Sequence, residues 1–515
     1  APHLAPRTSH AQSHWRTDDR VVLGAMLEIS AVASSFDRLY LVSPDQVLIR
    51  DDLARRWTGP FRGPGRGLLA EARGSIVDPF DRSLWIVTAS GWLRYDPTLD
   101  LWDQGFAGGT VIQAGLDRTR PSDGLYLLLT TGWVVTSRGG GSAFPATRPP
   151  RTGDLARVTT PDDAIRANPQ LAGIASGTLM GPGLRPARLT AVAEAADRSG
   201  WWLGTEGAGL LWLPFGSVRP EPRPWGLPGD VVGAVYAVPG GAWAVTDQSY
   251  GAGAALVHVP EGIEGITWYF GDQVMGQPFR QVRALRAVDS LLWIGTDQGA
   301  VAVDRSGARV RRLTEGDGLP DRRVFAIAAR RGRLVFGTAR GVAQLTDSGV
   351  VQVAPAYLSP ALAVAVAGDT TWVGTPNGLF AGIPGEADLL QAPGWDRSAT
   401  LRTPVVALLW RGDTLVALTA HEVVWRDPRN GAWTIDPDFT SRLGKGSALA
   451  DGDHGIWIAG AKGAGFARLG APVERLLAVG PDLPDQAWDV SLDGEWLWIA
   501  TSRGLVRFRR SAVEP

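Results

Sequence analysis

The chain has 515 residues, enough for one very large domain or two or three ordinary ones with well-buried cores. Its 51 basic and 52 acidic residues leave a formal charge of −1, so no global field gathers nucleic acid or anionic lipid. Cysteine is absent, which excludes a disulfide framework, a thiolate metal site and a thiol nucleophile.

Apolar residues (44%) and charged residues (20%) are ordinary in amount, whereas 65 Gly and 22 Trp point to many tight turns and many aromatic strand anchors. Lysine occurs only at Lys445 and Lys462, an arginine bias that a high-GC genome, as in many bacteria, would produce without functional pressure. No run approaches the roughly 18 apolar residues that span a bilayer. The longest candidates, around Val21–Met26 and Ala361–Ala367, suit buried strands.

In chain order, residues 1–19 form a polar tail, read as a mature terminus left by removal of an export signal. A self-similar unit follows: aromatic-apolar-Gly-Thr-x-x-Gly-apolar. Faint copies stand at Tyr40–Ser43 and Tyr126–Leu129, with a clearer one at Trp85–Thr88. Strong copies are Trp202–Thr205, Trp293–Thr296 and Trp372–Thr375, with Val335–Thr338 lacking the Trp. Weaker ones are Trp243–Thr246, Val416–Thr419, Trp457–Gly460 and Trp498–Thr501, which makes eleven. Steps of 45 residues (Ser43 to Thr88), 42 (Thr296 to Thr338) and 41 (Thr419 to Gly460, and Gly460 to Thr501) equal one four-stranded blade.

Period-two alternation and Gly-bearing turns exclude a helical solenoid, so the fold class is an all-β propeller of about eleven four-stranded blades. Eleven exceeds the usual ring of four to eight, so two rings are expected. The blade anchors are Trp85, Trp202, Thr205, Trp243, Trp293, Thr296, Thr338, Trp372, Thr375, Trp457, Trp498 and Thr501, with the Trp residues largely buried. The Gly before Thr lets neighbouring blades approach closely.

The 76 residues from Leu129 to Thr205 exceed one blade, and Arg138–Arg188 within them is rich in Gly, Pro and Arg. The expected organisation is a tail (1–19), three blades (20–140), an insertion (141–187), five blades (188–399) and three more (400–515). The last group closes with 20–140 around an inserted ring, the alternative being a sequential split near 275. Within the insertion, Pro161–Ile174 suits a short helix capped by Thr160 or Asp162 and interrupted by Pro169. The last unit, Trp488–Arg510, ends after three strands, and Arg20–Met26 is placed to supply the fourth.

Together with the linkers Gly226-Leu-Pro, Gly318-Leu-Pro and Asp482-Leu-Pro, the Trp-Ile-Gly-Thr unit resembles the two-component regulator propeller repeat over most of the chain. Sensors of that family continue into an immunoglobulin-like domain, a membrane span and a histidine kinase. This sequence ends shortly after its last repeat.

No convergent set of nucleophile, base and orienting group stands out. Of six His, His3, His10 and His14 lie in the tail, and His10/His14 would suit a metal only on a helix. Asp451-Gly-Asp453 lacks the downstream ligands of a calcium loop. The Gly-rich stretches Gly63–Gly67 and Gly204–Gly209 lack a strand–loop–helix setting, and at Gly444–Ser447 Phe439 stands where a phosphate loop needs Gly. Neither catalysis nor a cofactor nor a metal is expected.

The function expected is therefore that of a non-enzymatic scaffold, an extracytoplasmic, periplasmic structural subunit docking onto a larger protein complex. That complex is expected to be membrane-bound, such as a respiratory or photosynthetic host. The alternatives are a ligand-sensing propeller that binds at a channel mouth lined by Trp and Arg, and a propeller hydrolase or lyase. Candidate interface residues are Arg7, Trp15 and Arg16 in the tail, taken as an anchor to a partner, and Arg148, Arg151 and Arg157 in the insertion, taken as a cationic contact outside any blade core.

Overall fold

A computed structural model describes residues 15–515 apart from 17–18, 45, 52–55, 64–67, 140, 176–178, 182–184, 224, 248–253, 264, 331, 353–359, 384–388, 396–402 and 437–438. The strands form eleven antiparallel sheets, nine of four strands and two of five. In most sheets the chain runs strand by strand from one edge to the other as a meander; in the third blade a strand returns to pair beside the first, and the last blade takes its outer strand from the other end of the chain. The chain divides into two units, one made of 1–24, 229–259 and 269–515 and the other of 25–228 and 260–268.

The larger unit holds seven blades. Their innermost strands are Val231–Val238, Val282–Val288, Val324–Arg330, Ala363–Ala367, Val405–Arg411, Gly446–Asp451 and Ala487–Asp493. Each lies beside the next, and the seventh returns to the first, which closes the ring. The seventh blade takes its fourth strand from the other end of the chain, Arg20–Leu23, which pairs with Gly504–Arg509 from Arg20↔Phe508 to Leu23↔Leu505. Such a seam fastens the ring by joining its two ends.

The smaller unit holds four blades, with sheets beginning at Ala31–Ser34, Gly74–Val77, Gln113–Asp117 and Leu179–Gly181. The last of these runs Leu179–Gly181, Arg185–Glu194, Gly200–Glu206, Leu210–Pro214, Glu221–Pro222. Its strand Arg185–Glu194 lies beside Ala31–Ser34 of the first blade. The two expected groupings, 20–140 with 400–515 and a split near 275, are both replaced by boundaries at 24/25 and 228/229. Of the strands before residue 140, Arg20–Leu23 is the one that joins the sheet of the last blade among the described residues.

The insertion is also different from its expectation. Ala143–Pro145 and Leu155–Arg157 are the two edge strands of the third blade, pairing with Gly132–Ser137 and Gln113–Asp117. Two helices follow, α1 (Pro161–Ala167) and α2 (Pro169–Ala175), the first capped by Thr160, whose Oγ1 accepts the Asp163 N–H at 3.2 Å. Ala164 and Leu171 of these helices join Trp201, Leu203 and Leu213 in one core cluster. The segment thus belongs to blade cores because its few apolar residues find partners there. Its strands are three residues long, too short to show a period in sequence.

The Gly of the repeat is explained by the seams. A Cβ added at Gly337 would come within 2.7 Å of the Ala361 carbonyl of the next blade, and one at Gly374 within 2.8 Å of the Val405 carbonyl. A Cβ at Gly295 would meet Val324 at 3.0 Å, and one at Gly204 would meet Ile29 at 2.6 Å. Each blade therefore leans on the next where the repeat has no side chain.

Candidate binding face of the seven-bladed ring

The anchor residues fill structural places. Trp85, Trp243, Trp293, Trp372, Trp457 and Trp498 are buried on the second strands of their blades. Trp202 departs from that expectation and is half-buried against Trp212, with ring centroids 4.5 Å apart. Its neighbour Trp201 is buried instead, because Trp201 and Leu203 face the helix-lined cluster and alternation turns Trp202 to the other side.

Thr205, Thr296, Thr338, Thr375 and Thr501 are fully buried and share one task. Each Oγ1 donates to a carbonyl across the turn to the third strand: Gly209, Gly299, Gly341, Gly378 and Gly504, at 2.6–3.0 Å. Each also accepts a backbone N–H from within that turn. The glycines at 299, 341, 378 and 504 have φ between 109° and 121°, where an L side chain is strained. The Thr-x-x-Gly signature is a hydrogen-bonded hairpin lock.

Opposite that lock the innermost strand is irregular in most blades of the ring. In six of the seven blades of the ring the pairing skips one residue facing the two residues at the Gly-Thr positions near the end of the second strand: Gly233, Arg283, Phe325, Val406, Ser447 and Trp488. A β-bulge leaves its extra residue unpaired and re-aims its side chain. All six lie at the same level of the ring, on the face that carries the second-to-third-strand turns and the linkers between blades. Neighbouring bulges touch. The Arg283 guanidinium lies 4.8 Å from the Phe325 ring centroid, and Ser447 Oγ donates to the Ala487 carbonyl at 3.0 Å.

The chemistry around this circle is uneven. Trp488 is 43% exposed, whereas the other described Trp in the ring are buried or half-buried, and Arg283 is exposed. Between them in ring order stands Gly233, where an added Cβ would meet nothing within 4 Å. A gap flanked by an aromatic plane and a guanidinium suits a ligand or side chain that stacks and accepts hydrogen bonds. The repeat pattern singles out none of these residues, since the bulge fixes a backbone irregularity and not a residue type. The Leu of the linkers is packing: Leu319 and Leu483 are buried in core clusters.

The tail residues are placed differently from their expectation. Arg7 lies outside the described residues. Trp15 packs within its own ring: Nε1 donates to Asp482 Oδ1 at 2.9 Å, the ring stands edge-on to Phe508 at 5.8 Å, and the Arg20 guanidinium lies 4.9 Å over it. Trp15, expected as an anchor to a partner, thus finds both a carboxylate and an apolar wall at the seam of its own ring. Arg16 is exposed, with its backbone N–H donating to Asp19. Arg148, Arg151 and Arg157 are exposed as expected of surface cations, but they border a strand of the third blade, so their segment is not a separate contact module.

Among the described residues no three His, Asp or Glu side chains gather as a metal site, and no helix is long and apolar enough to cross a membrane. Fold and face together define a multi-blade β-propeller.

No protein-family model matches the chain, and no curated protein matches it. Solved structures similar to it include PorZ, an essential bacterial surface component of the type-IX secretion system of Porphyromonas gingivalis, at 13% identity and a TM-score of 0.44, over 93% of this chain and 68% of that one. The extracellular domain of the hybrid two-component system BT4673 of B. thetaiotaomicron is similar at 12% identity and a TM-score of 0.43, over 94% and 70%. Virginiamycin B lyase from Staphylococcus aureus is similar over 54% of this chain and 94% of that one, at 15% identity and a TM-score of 0.44. At such identities and TM-scores the likeness says nothing of function. The resemblance to the two-component regulator propeller repeat rests on the repeat residues themselves.

Proposed function

We propose that this chain is a non-enzymatic propeller that works by recognition, presenting the bulge-bearing face of its seven-bladed ring to a ligand. The observation that carries the reading is the gap at Gly233 between exposed Trp488 and exposed Arg283. Large exposed aromatics beside arginine are the residue types that dominate binding energy at recognition surfaces. The role that follows is that of a sensing or ligand-capturing propeller, extracytoplasmic and peripheral to a membrane.

A second reading, a structural subunit docking onto a larger complex, is favoured by a separate observation in the four-bladed unit. Phe36, Phe80 and Phe215 are 86%, 51% and 44% exposed. Phe36 and Phe80 occupy turns that leave the first strands of their blades, and Phe215 the turn that leaves Leu210–Pro214, two strands out from Arg185–Glu194, so the three turns lie at the same end of their blades.

The test is affinity purification from the native source with the full chain as bait, run in parallel for Trp488→Ala and for Phe36→Ser with Phe80→Ser. Loss of captured material with Trp488→Ala alone, at unchanged melting temperature, supports recognition by the ring. Loss with the Phe pair alone supports docking through the smaller unit. Equal capture by all forms overturns both.

A further inference from the structure

The second blade of the ring, Val282–Leu313, is flanked by the linker that enters it and the linker that leaves it. Between these linkers lies an open depression of about 400 Å³ lined by Arg280, Arg312 and Arg322, with Gln277 and Gln298 beside them. That volume suits a ligand of about the size of a monosaccharide phosphate.

Its charge is one-sided. Glu315 is the one carboxylate on the lining, and it faces Arg340 at 3.9 Å. Asp321, nearby in the linker, is held by Arg323 at 2.9 Å and by Arg340 at 3.3 Å. Asp317 is tied to Thr314, whose N–H and hydroxyl both donate to it at 2.8 Å. Arg311 and Arg312 act on Asp317 only as weaker, more distant charges. Among the described residues Arg280, Arg312 and Arg322 thus have no carboxylate at ion-pair distance.

Two buried atoms point the same way. Among the described residues Arg312 Nε and the Gln298 side-chain Oε1 have no hydrogen-bond partner, although Arg312 Nη2 reaches the Gln298 carbonyl at 3.4 Å. A group that accepts from the first and donates to the second would satisfy both. An oxyanion supplies the acceptor and an adjacent hydroxyl the donor.

We propose that this depression is a binding site for a small hydroxylated anion, in which one phosphate or carboxylate is gripped by Arg280, Arg312 and Arg322 and neighbouring hydroxyls are read by Gln277 and Gln298. Sugar phosphates and sugar acids share this chemistry. The site shares no residue with the gap at Gly233 and stands or falls independently of it.

The experiment is calorimetric titration of the full chain at low ionic strength with glucose 6-phosphate, glucuronate, inorganic phosphate and glucose. The proposal expects one of the two hydroxylated anions to bind more tightly than inorganic phosphate and glucose to give no binding, the better of the two identifying the oxyanion. Arg312→Gln and Arg322→Gln should each weaken that binding roughly tenfold or more. Arg429→Gln, in an exposed turn of another blade, should leave it unchanged. Melting curves of each variant confirm the fold. No heat with either hydroxylated anion up to millimolar concentration overturns the proposal. So does binding no tighter than that of inorganic phosphate, or binding unaltered in the Arg312 and Arg322 variants.

Discussion

Substituting Asp489 by Asn tests how the ring is fastened. Asp489 stands on the innermost strand of the last blade, and its Oδ2 accepts the Val235 N–H of the first blade at 2.9 Å while its Oδ1 accepts the Val490 N–H at 2.9 Å. One residue pair along, Ser491 Oγ accepts the Ala237 N–H at 2.9 Å. Burial pushes the Asp489 carboxyl up from 3.8 to about 6, and the two N–H groups pull the other way without cancelling it. Below about pH 4 folded and unfolded chains both carry the proton. Between about pH 4 and 6 only the folded chain holds it, so the contribution of this group to stability is lost as pH rises through that window and the full deficit stands above it. Across a window about two pH units wide, at ~1.4 kcal/mol per pH unit, the deficit grows to about 3 kcal/mol at pH 7. This is a ceiling, since the side chain as a whole is only half-buried. Asn keeps one acceptor oxygen and loses the other, a cost of about 1 kcal/mol that does not vary with pH. The assay is denaturant unfolding of wild type and Asp489→Asn from pH 4 to 8. The variant should be slightly weaker at pH 4 and should gain on wild type by up to about 3 kcal/mol by pH 7. A difference independent of pH, or one that moves the other way, refutes the reasoning.

Three further outcomes are expected in the same assay. Thr338→Val removes both hydrogen bonds of a buried hairpin lock and should cost about 1–3 kcal/mol, whereas Thr338→Ser keeps them and should cost clearly less; equal effects would deny the lock. Gly374→Ala drives a methyl to 2.8 Å from the Val405 carbonyl and should cost about 1–3 kcal/mol, while Gly233→Ala enters open space and should change stability by less than about 0.5 kcal/mol. Trp15→Ala loses the bond to Asp482 and the edge contact with Phe508 and should cost about 1–3 kcal/mol; unchanged stability would return Trp15 to the set of partner-binding residues.

The repeat was legible because the same local physics recurs in every blade. A turn that needs positive φ at Gly299, Gly341, Gly378 and Gly504 admits few residues other than Gly. A buried hydroxyl bridging it must be Thr or Ser, and a seam that leaves no room for Cβ again demands Gly. The capped helix starting at Pro161 was legible for a similar reason, since Thr160 and Pro169 mark its ends locally. Long-range choices left no such mark. That Arg20–Leu23 completes the last sheet followed from counting its strands, but the division at 24/25 and 228/229 depends on which blade edges meet, and edges are chemically alike from blade to blade. Trp15 finds Asp482, 467 residues away, which no local pattern announces.

The same contrast explains why the binding face was the least legible part of the molecule. Positions that the repeat fixes are those whose side chains are withdrawn from solvent: Thr338 and Trp457 are fully buried, so constancy there records packing. At the bulges the backbone irregularity is kept while Gly, Arg, Phe, Val, Ser and Trp take turns in filling it. A position whose geometry is held constant while its chemistry changes from blade to blade breaks the sevenfold likeness of the ring. That asymmetry is what a single ligand requires, because a ring of identical mouths would offer seven equivalent weak sites and no preferred orientation. Trp488, open Gly233 and Arg283 stand on consecutive blades, so if recognition uses this arc as proposed, substitutions at Val406 on the opposite side should leave ligand capture unaltered.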